Sequence, residues 1–287
     1  MSIYLVIGAG GMQGGAVARR LVQDGHRVRG LSRTAQNLPE GVEPFTADLA
    51  DHARLKSAFA DVSHVSVTIP QADPGLTVSA ARAIADAALA SGVERLVFNT
   101  GNRTPETATG IPPFDAARTA AETFLSSGVP AVVLRPLVYL ENLCAPWVAG
   151  PLVRDGVLRY PLPADVPVPW LAHADLGAAT TAALSLPGLE GRILDVGGRP
   201  VTGRQLAAVF AETLETDVRY DAQDPGDFGA SLVGLFGPEG AAGIAGTYRW
   251  IGTHLTTAAG SDPRLGLSPT PPRTWVAALP WRRLAGV

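Results

Sequence analysis

Apolar positions along this chain change their period repeatedly, and each change marks an element. Ile3-Tyr4-Leu5-Val6-Ile7 is a continuous apolar run, the mark of a strand buried on both faces. It ends in a glycine cluster, after which Val17, Leu21 and Val22 follow a helical spacing. Asp24-Gly25 stops that helix, and Arg27 to Leu31 reads as a second strand. Strand, glycine turn, helix, strand is one βαβ unit. The alternation then continues. Strands are predicted at Val42–Ala47, Val62–Ile69, Arg95–Thr100 and Ala131–Pro136. Helical patterns lie between them: one with Leu55 and Phe59, an Ala-rich one from Leu76 to Ala90, and one with Ala117, Ala120 and Phe124. A sustained alternation of this kind predicts an α/β fold, a doubly wound parallel sheet of the Rossmann type.

Past Asn142 the pattern breaks. Pro146, Pro151, Pro161, Pro163, Pro167 and Pro169 predict short pieces, with a small strand at Leu158–Tyr160. His173 and Asp175 open an Ala-rich helix to Leu186, Arg192–Val196 reads as a strand, and Thr202 caps a helix over Gly203–Leu214. Two apolar helical stretches, Phe228–Phe236 and Ala241–Ile251, are separated by Pro238-Glu239-Gly240. The expected organisation is a dinucleotide-binding domain over residues 1–145 and a smaller lobe for the substrate over 146–287, with the strand near 192–196 placed to rejoin the main sheet. The stretch 225–254 reads either as a movable helical lid over the substrate or as plain lobe packing or an oligomer contact.

Composition narrows the function classes. A formal net charge of -3 over 287 residues gives no basic face, so no nucleic-acid partner is expected. No apolar run is long enough for a bilayer, and no signal peptide pattern precedes the first strand, so no membrane partner is expected. Cys144 is the single cysteine, which suits a reducing cytoplasmic setting. A monomer or homodimer is expected.

The glycine cluster carries the first candidate chemistry. Gly8, Gly11 and Gly14 sit three apart in Gly8-Ala9-Gly10-Gly11-Met12-Gln13-Gly14-Gly15. The first permits a tight turn, the second lets backbone approach a pyrophosphate, and the third lets helix and strand pack closely. The phosphates then rest on the free N–H groups at the helix start. The second strand ends Leu31-Ser32-Arg33 with no acid for a ribose hydroxyl, so Arg33 is placed for the extra phosphate of NADPH or NADP+; the bland alternative is a solvated arginine. After the third strand, Asp48 suits the adenine and Asp51 a helix cap. Thr68, Pro70 and the tip Asn99-Thr100-Gly101 fall at the carboxyl ends of strands, where ligands of such sheets lie.

The glycine cluster, the Ala47-Asp48-Leu49 step, and Ser127-Gly128-Val129-Pro130 with Leu134-Arg135-Pro136 and Glu141-Asn142-Leu143 resemble the NmrA-like branch of the atypical short-chain dehydrogenase/reductases. The resemblance covers the first half well and the second in outline. It implies an NADP(H) site formed by Gly8, Gly11, Met12, Gln13, Gly14, Ser32, Arg33, Asp48, Leu49, Thr68, Pro70, Thr100 and Arg118. It also implies either a reductase or a redox-sensing regulator without turnover. Short-chain reductases commonly pair a Tyr with a Lys four residues on, the Tyr acting as acid. Here Phe114 and Arg118 stand at those places. Arg118 is left to hold the nicotinamide ribose or to pair with Glu122. Thr100, Tyr139, His173 and Arg118 are the remaining candidates near the chemistry, His173 having an ordinary structural role as its alternative. The leading expectation is an NADPH-dependent ketoreductase of an aromatic or polyketide-like ketone or quinone, of the kind made in antibiotic biosynthesis, with the substrate's own hydroxyl sharing the proton. The rival is a non-catalytic NADP(H) sensor. Scattered histidines give no support for a metal.

Overall fold

A computed structural model describes residues 2–70, 73–254 and 260–286. The first half alternates as the periodicity predicts: β1 (Ile3–Ile7), α1 (Met12–Gln23), β2 (Arg27–Ser32), β3 (Val42–Thr46), α2 (His52–Ser57), β4 (Val62–Thr68), α3 (Pro74–Ala90), β5 (Arg95–Asn99), α4 (Pro112–Ser126) and β6 (Ala131–Pro136). The chain continues through β7 (Val138–Tyr139), a 3-10 turn at Leu140–Cys144, α5 (Pro146–Asp155), β8 (Val157–Tyr160) and β9 (Val168–Leu171). Then come α6 (His173–Ser185), β10 (Ile193–Val196), β11 (Pro200–Val201), α7 (Gly203–Leu214), β12 (Arg219–Ala222), α8 (Pro225–Ser231), α9 (Val233–His254), α10 (Pro272–Ala277) and α11 (Trp281–Leu284).

Seven strands form one parallel sheet in the order β10-β6-β5-β4-β1-β2-β3. The order reverses between β1 and β4, which makes the carboxyl ends of these two strands the switch point where a doubly wound sheet opens a crevice. One side of the sheet is filled by Leu5, Ile7, Val65, Val67, Leu96 and Phe98 packed with Ile84, Ala88 and Phe124 from the helices. Such strands are buried on both faces, which is why they read as continuous apolar runs.

The fold divides into two compact units, and neither is a continuous stretch. Unit 1 holds residues 1–136, 173–196 and 261–267; unit 2 holds 137–172, 197–260 and 268–287. The break in composition near Asn142 therefore does not mark the edge of a unit. α6, which the sequence reading placed with the lobe, belongs to unit 1. It lies against α1 with Gly177 at the contact: a Cβ there would stand 3.0 Å from the Ala16 carbonyl oxygen. Arg95, buried at the start of β5, donates to the carbonyls of Ala183 and Leu186 at 2.9 and 3.0 Å, satisfying orphan groups at the end of α6. β10 completes the sheet beside β6, where Arg135 Nε binds Asp195 Oδ1 at 2.9 Å. The Asp262 amide in turn donates to the Asp195 carbonyl, which brings residues 261–267 into unit 1.

Unit 2 has a three-stranded sheet, β11-β9-β7, and a parallel pair, β12 with β8. Its helices differ from the sequence reading in two places. α5 forms across a segment that its prolines had marked as broken: Pro146 takes the first turn, where no N–H is required, and Pro151 is accommodated inside. The first expected stretch, Phe228–Phe236, is divided at Leu232 between α8 and α9, while the break expected beside Pro238 is present inside α9. α9 is interrupted at Gly237, whose φ of 70° and ψ of 172° only glycine adopts readily.

Candidate cofactor-binding site

The loop between β1 and α1 is held by backbone. Gly8, at φ 83°, donates its N–H to the Leu31 carbonyl at 2.9 Å, and Gly11 N–H returns to the Gly8 carbonyl at 2.9 Å. A Cβ on Gly8 would lie 2.6 Å from the Thr68 carbonyl oxygen, and one on Gly14 would lie 2.3 Å from that of Gly8. Both positions therefore require glycine for the fold itself. Gly11 differs. A Cβ there meets only the Gly8 oxygen, at an ordinary 3.4 Å. Nothing inside the protein demands a glycine at this exposed position, so the free space faces outward. Gly11 also caps α1 with no side chain, which leaves the first-turn N–H groups open to an anion. Those N–H groups, at the carboxyl end of β1, fit a pyrophosphate.

The surrounding candidates take distinct positions in unit 1. The Asn99 amide donates to Gln13 Oε1 at 2.8 Å, and Asn99 Oδ1 accepts from Gly101 N–H at 2.9 Å, so the tip of β5 and the first turn of α1 are joined. Met12 is 69% exposed beside them. Ser32 binds the Thr34 carbonyl through its hydroxyl. Arg33 is exposed, and among the described residues no acid pairs with it. Asp51 caps α2 through the Arg54 amide at 2.9 Å, while Asp48 accepts from the Ala50 amide at 2.8 Å and stays exposed. Leu49 packs at the core's edge and Pro70 is exposed. Thr68 Oγ1, beside Gly8, is buried without a hydrogen-bond partner among the described residues.

The candidates for proton transfer fare differently. Thr100 is 2% exposed, and its hydroxyl faces the carbonyls of Asn102 and Leu134 at 2.5 and 3.1 Å. Its one proton is directed at carbonyls inside the protein. Arg118 pairs with Glu122 at 2.5 Å, the alternative weighed from sequence, while its Nε is buried with no partner among the described residues. Phe114 is fully buried in α4, and Asp115 ties down the preceding loop through the amides of Thr109 and Gly110. His173 is buried at the start of α6, and desolvation together with Arg19 lowers its pKa to about 4. It is a neutral imidazole at neutral pH and no imidazolium donor. Tyr139 is buried in β7, within unit 2.

Sequence reasoning missed a second polar constellation, inside unit 2. The hydroxyls of Tyr160 and Tyr248 lie 2.5 Å apart, and Asn142 Nδ2 reaches them at 3.1 and 3.5 Å. Asn142 stood in a stretch that carried the resemblance. The two tyrosines are 88 residues apart, in a short strand and a long helix, and no local spacing joins them. Among the described residues no group of histidine, cysteine and carboxylate side chains could hold a metal ion. Burial and Glu141 push the Cys144 thiol up to about 12, so it is no thiolate nucleophile. No described helix is long and apolar enough to cross a membrane.

Comparison with known proteins agrees with this architecture. A reductase of (4-alkanoyl-5-oxo-2,5-dihydrofuran-3-yl)methyl phosphate from Streptomyces griseus is 32% identical over 223 residues, 76% of each chain. The triphenylmethane reductase of Citrobacter sp., solved with NADP(H), superposes with a TM-score of 0.78 at 21% identity, covering 96% of this chain and 99% of that one. NmrA, a negative transcriptional regulator solved with NADP, superposes with a TM-score of 0.75 at 17% identity over 98% of both chains. The sequence profile of the NmrA-like family matches residues 2–267. With nearly the whole chain matched and the glycine loop in its expected place, this protein belongs to the NmrA-like family.

Proposed function

We propose that this chain is an NADP(H)-dependent oxidoreductase acting on a carbonyl conjugated with an aromatic or quinoid system, as in polyketide-like natural products. The observation that carries the cofactor is the glycine cradle at the β1–β4 switch point followed, at the end of β2, by the exposed and unpaired Arg33 in place of an acid. Gly8, Gly11 and Gly14 would hold the pyrophosphate, Arg33 the additional phosphate, and Asp48 and Thr68 the adenine and nicotinamide sides. Bound there, the nicotinamide supplies a hydride.

The chain's own groups then limit what can accept that hydride. Phe114 has no proton to give, the Thr100 proton is committed, and His173 is neutral. Charge that develops on an acceptor oxygen receives no proton from these positions. An acceptor that spreads the charge over a conjugated system, or offers its own neighbouring hydroxyl, needs such a proton least. The similar proteins support this class. One acts on a dihydrofuran bearing alkanoyl and oxo groups, another on triphenylmethane compounds. The test is calorimetry with NADPH and NADH, followed by NADPH oxidation against a panel of hydroxyaryl ketones and quinones. Preference for NADPH with turnover of a panel member is expected; a chain that ignores NADPH and NADP+ alike overturns the proposal.

The buried Phe114 at the usual acid position favours one second reading, an NADP(H)-sensing regulator. Stoichiometric cofactor binding with no oxidation on any member of the panel selects it.

A further inference from the structure

We infer that Tyr248, backed by Tyr160 and Asn142, is a hydrogen-bond donor to the oxygen of an aromatic carbonyl ligand bound within unit 2. The argument begins with a proton count. Two phenols 2.5 Å apart share one hydrogen bond, so one donates to the other and a single phenolic proton is left over. Their remaining neighbour, Asn142 Nδ2, is itself a donor. Burial raises the pKa of both phenols, so neither loses its proton near neutral pH. Tyr160 is 1% exposed whereas the Tyr248 side chain is half-buried, and the spare proton is assigned to Tyr248.

A second donor lies in the same cluster. Trp170 packs edge-on to Tyr160 at 5.1 Å between ring centroids, and its Nε1 is buried without a partner among the described residues. Phe228 stands edge-on to Tyr248 at 5.4 Å. Aromatic rings thus surround the phenol pair, and the Trp170 N–H is a second buried donor beside it. Buried donors are normally satisfied, so the cluster calls for an acceptor oxygen carried on a flat apolar body. Asn142 and Tyr160 are positioning residues: their hydrogen bonds to the Tyr248 oxygen polarise its O–H. The inference concerns binding inside unit 2 and stands whether or not the chain oxidises NADPH.

The probes are acetylnaphthalene and isopropenylnaphthalene, the same shape with an oxygen exchanged for a methylene. Titrated calorimetrically into the full chain, acetylnaphthalene is expected to bind more tightly, and Tyr248→Phe to weaken it about tenfold while leaving the hydrocarbon unchanged. The infrared carbonyl stretch of acetylnaphthalene bound to the unsubstituted protein is expected below its value in hydrocarbon solvent, a reading that needs no variant. Equal loss for both probes, no loss, an unshifted carbonyl stretch, or failure of the unsubstituted chain to bind either probe overturns the inference. Because no cofactor enters these measurements, their failure is distinct from failure of the oxidoreductase reading.

Discussion

Arg33 and His173 show how differently single charges act in this molecule. Arg33 is exposed, and no ion pair among the described residues holds it, so replacing it costs the fold little. If it grips the additional phosphate, Arg33→Ala removes a charge-assisted contact of about 1.5–3 kcal/mol. NADPH affinity should then fall roughly ten- to hundredfold, with NADH affinity nearly unchanged, as calorimetry would register. His173 is the opposite case, buried and neutral, with a folded pKa of about 4 against 6.5 when exposed. Between those values the unfolded chain binds the proton and the folded chain does not. Stability is therefore undiminished above about pH 6.5 and declines as the pH falls toward 4, by about 3 kcal/mol in all. Denaturant unfolding across this range should show a slope that His173→Gln flattens. At this scale the sequence was legible where a residue's role is local. The glycines and the Asp51 cap could be read from their neighbours. The full commitment of the Thr100 hydroxyl could not, because one of its partners, the Leu134 carbonyl, comes from another strand.

Among the elements, strands and helices of the first half were legible because burial on both faces imposes long apolar runs, and the interposed helices carry their own period. α5 was not, since proline was read as punctuation although Pro146 occupies a first turn that tolerates it. The interruption of α9 was visible as Pro238-Glu239-Gly240, but not the conformation of Gly237 that makes it. Gly237 at φ 70° and ψ 172° lies in a region nearly closed to other residues. Gly237→Ala should destabilise the protein by about 1–3 kcal/mol in denaturant unfolding, and NADPH affinity should stay the same because the cradle lies in unit 1. The paired tyrosines were illegible at this scale too. β8 and α9 each carry one phenol, and only the fold of unit 2 brings the two together.

At the scale of the whole molecule, the alternation of elements predicted the doubly wound sheet, and the family match over residues 2–267 agrees with it. The partition into units was the least legible feature. Composition changes where prolines begin, whereas compactness follows which helix face fits which neighbour, and α6 fits α1 through Gly177. A fragment ending at residue 145 lacks both α6 and β10. It leaves the α1 face and the β6 edge uncovered, and unpaired edges of this kind promote aggregation. Such a fragment should show no cooperative thermal transition, while the full chain unfolds with one or more.

The interleaving of the units also governs how the polypeptide emerges from the ribosome. Strand β6 waits for β10, some sixty residues behind it, and residues 261–267 arrive later still. The nascent chain therefore leaves unit 1 incomplete until residues 261–267 have emerged. Anyone wishing to graft a new second unit onto this cradle cannot do so with one splice, and must instead exchange separate inserts at every crossing of the chain.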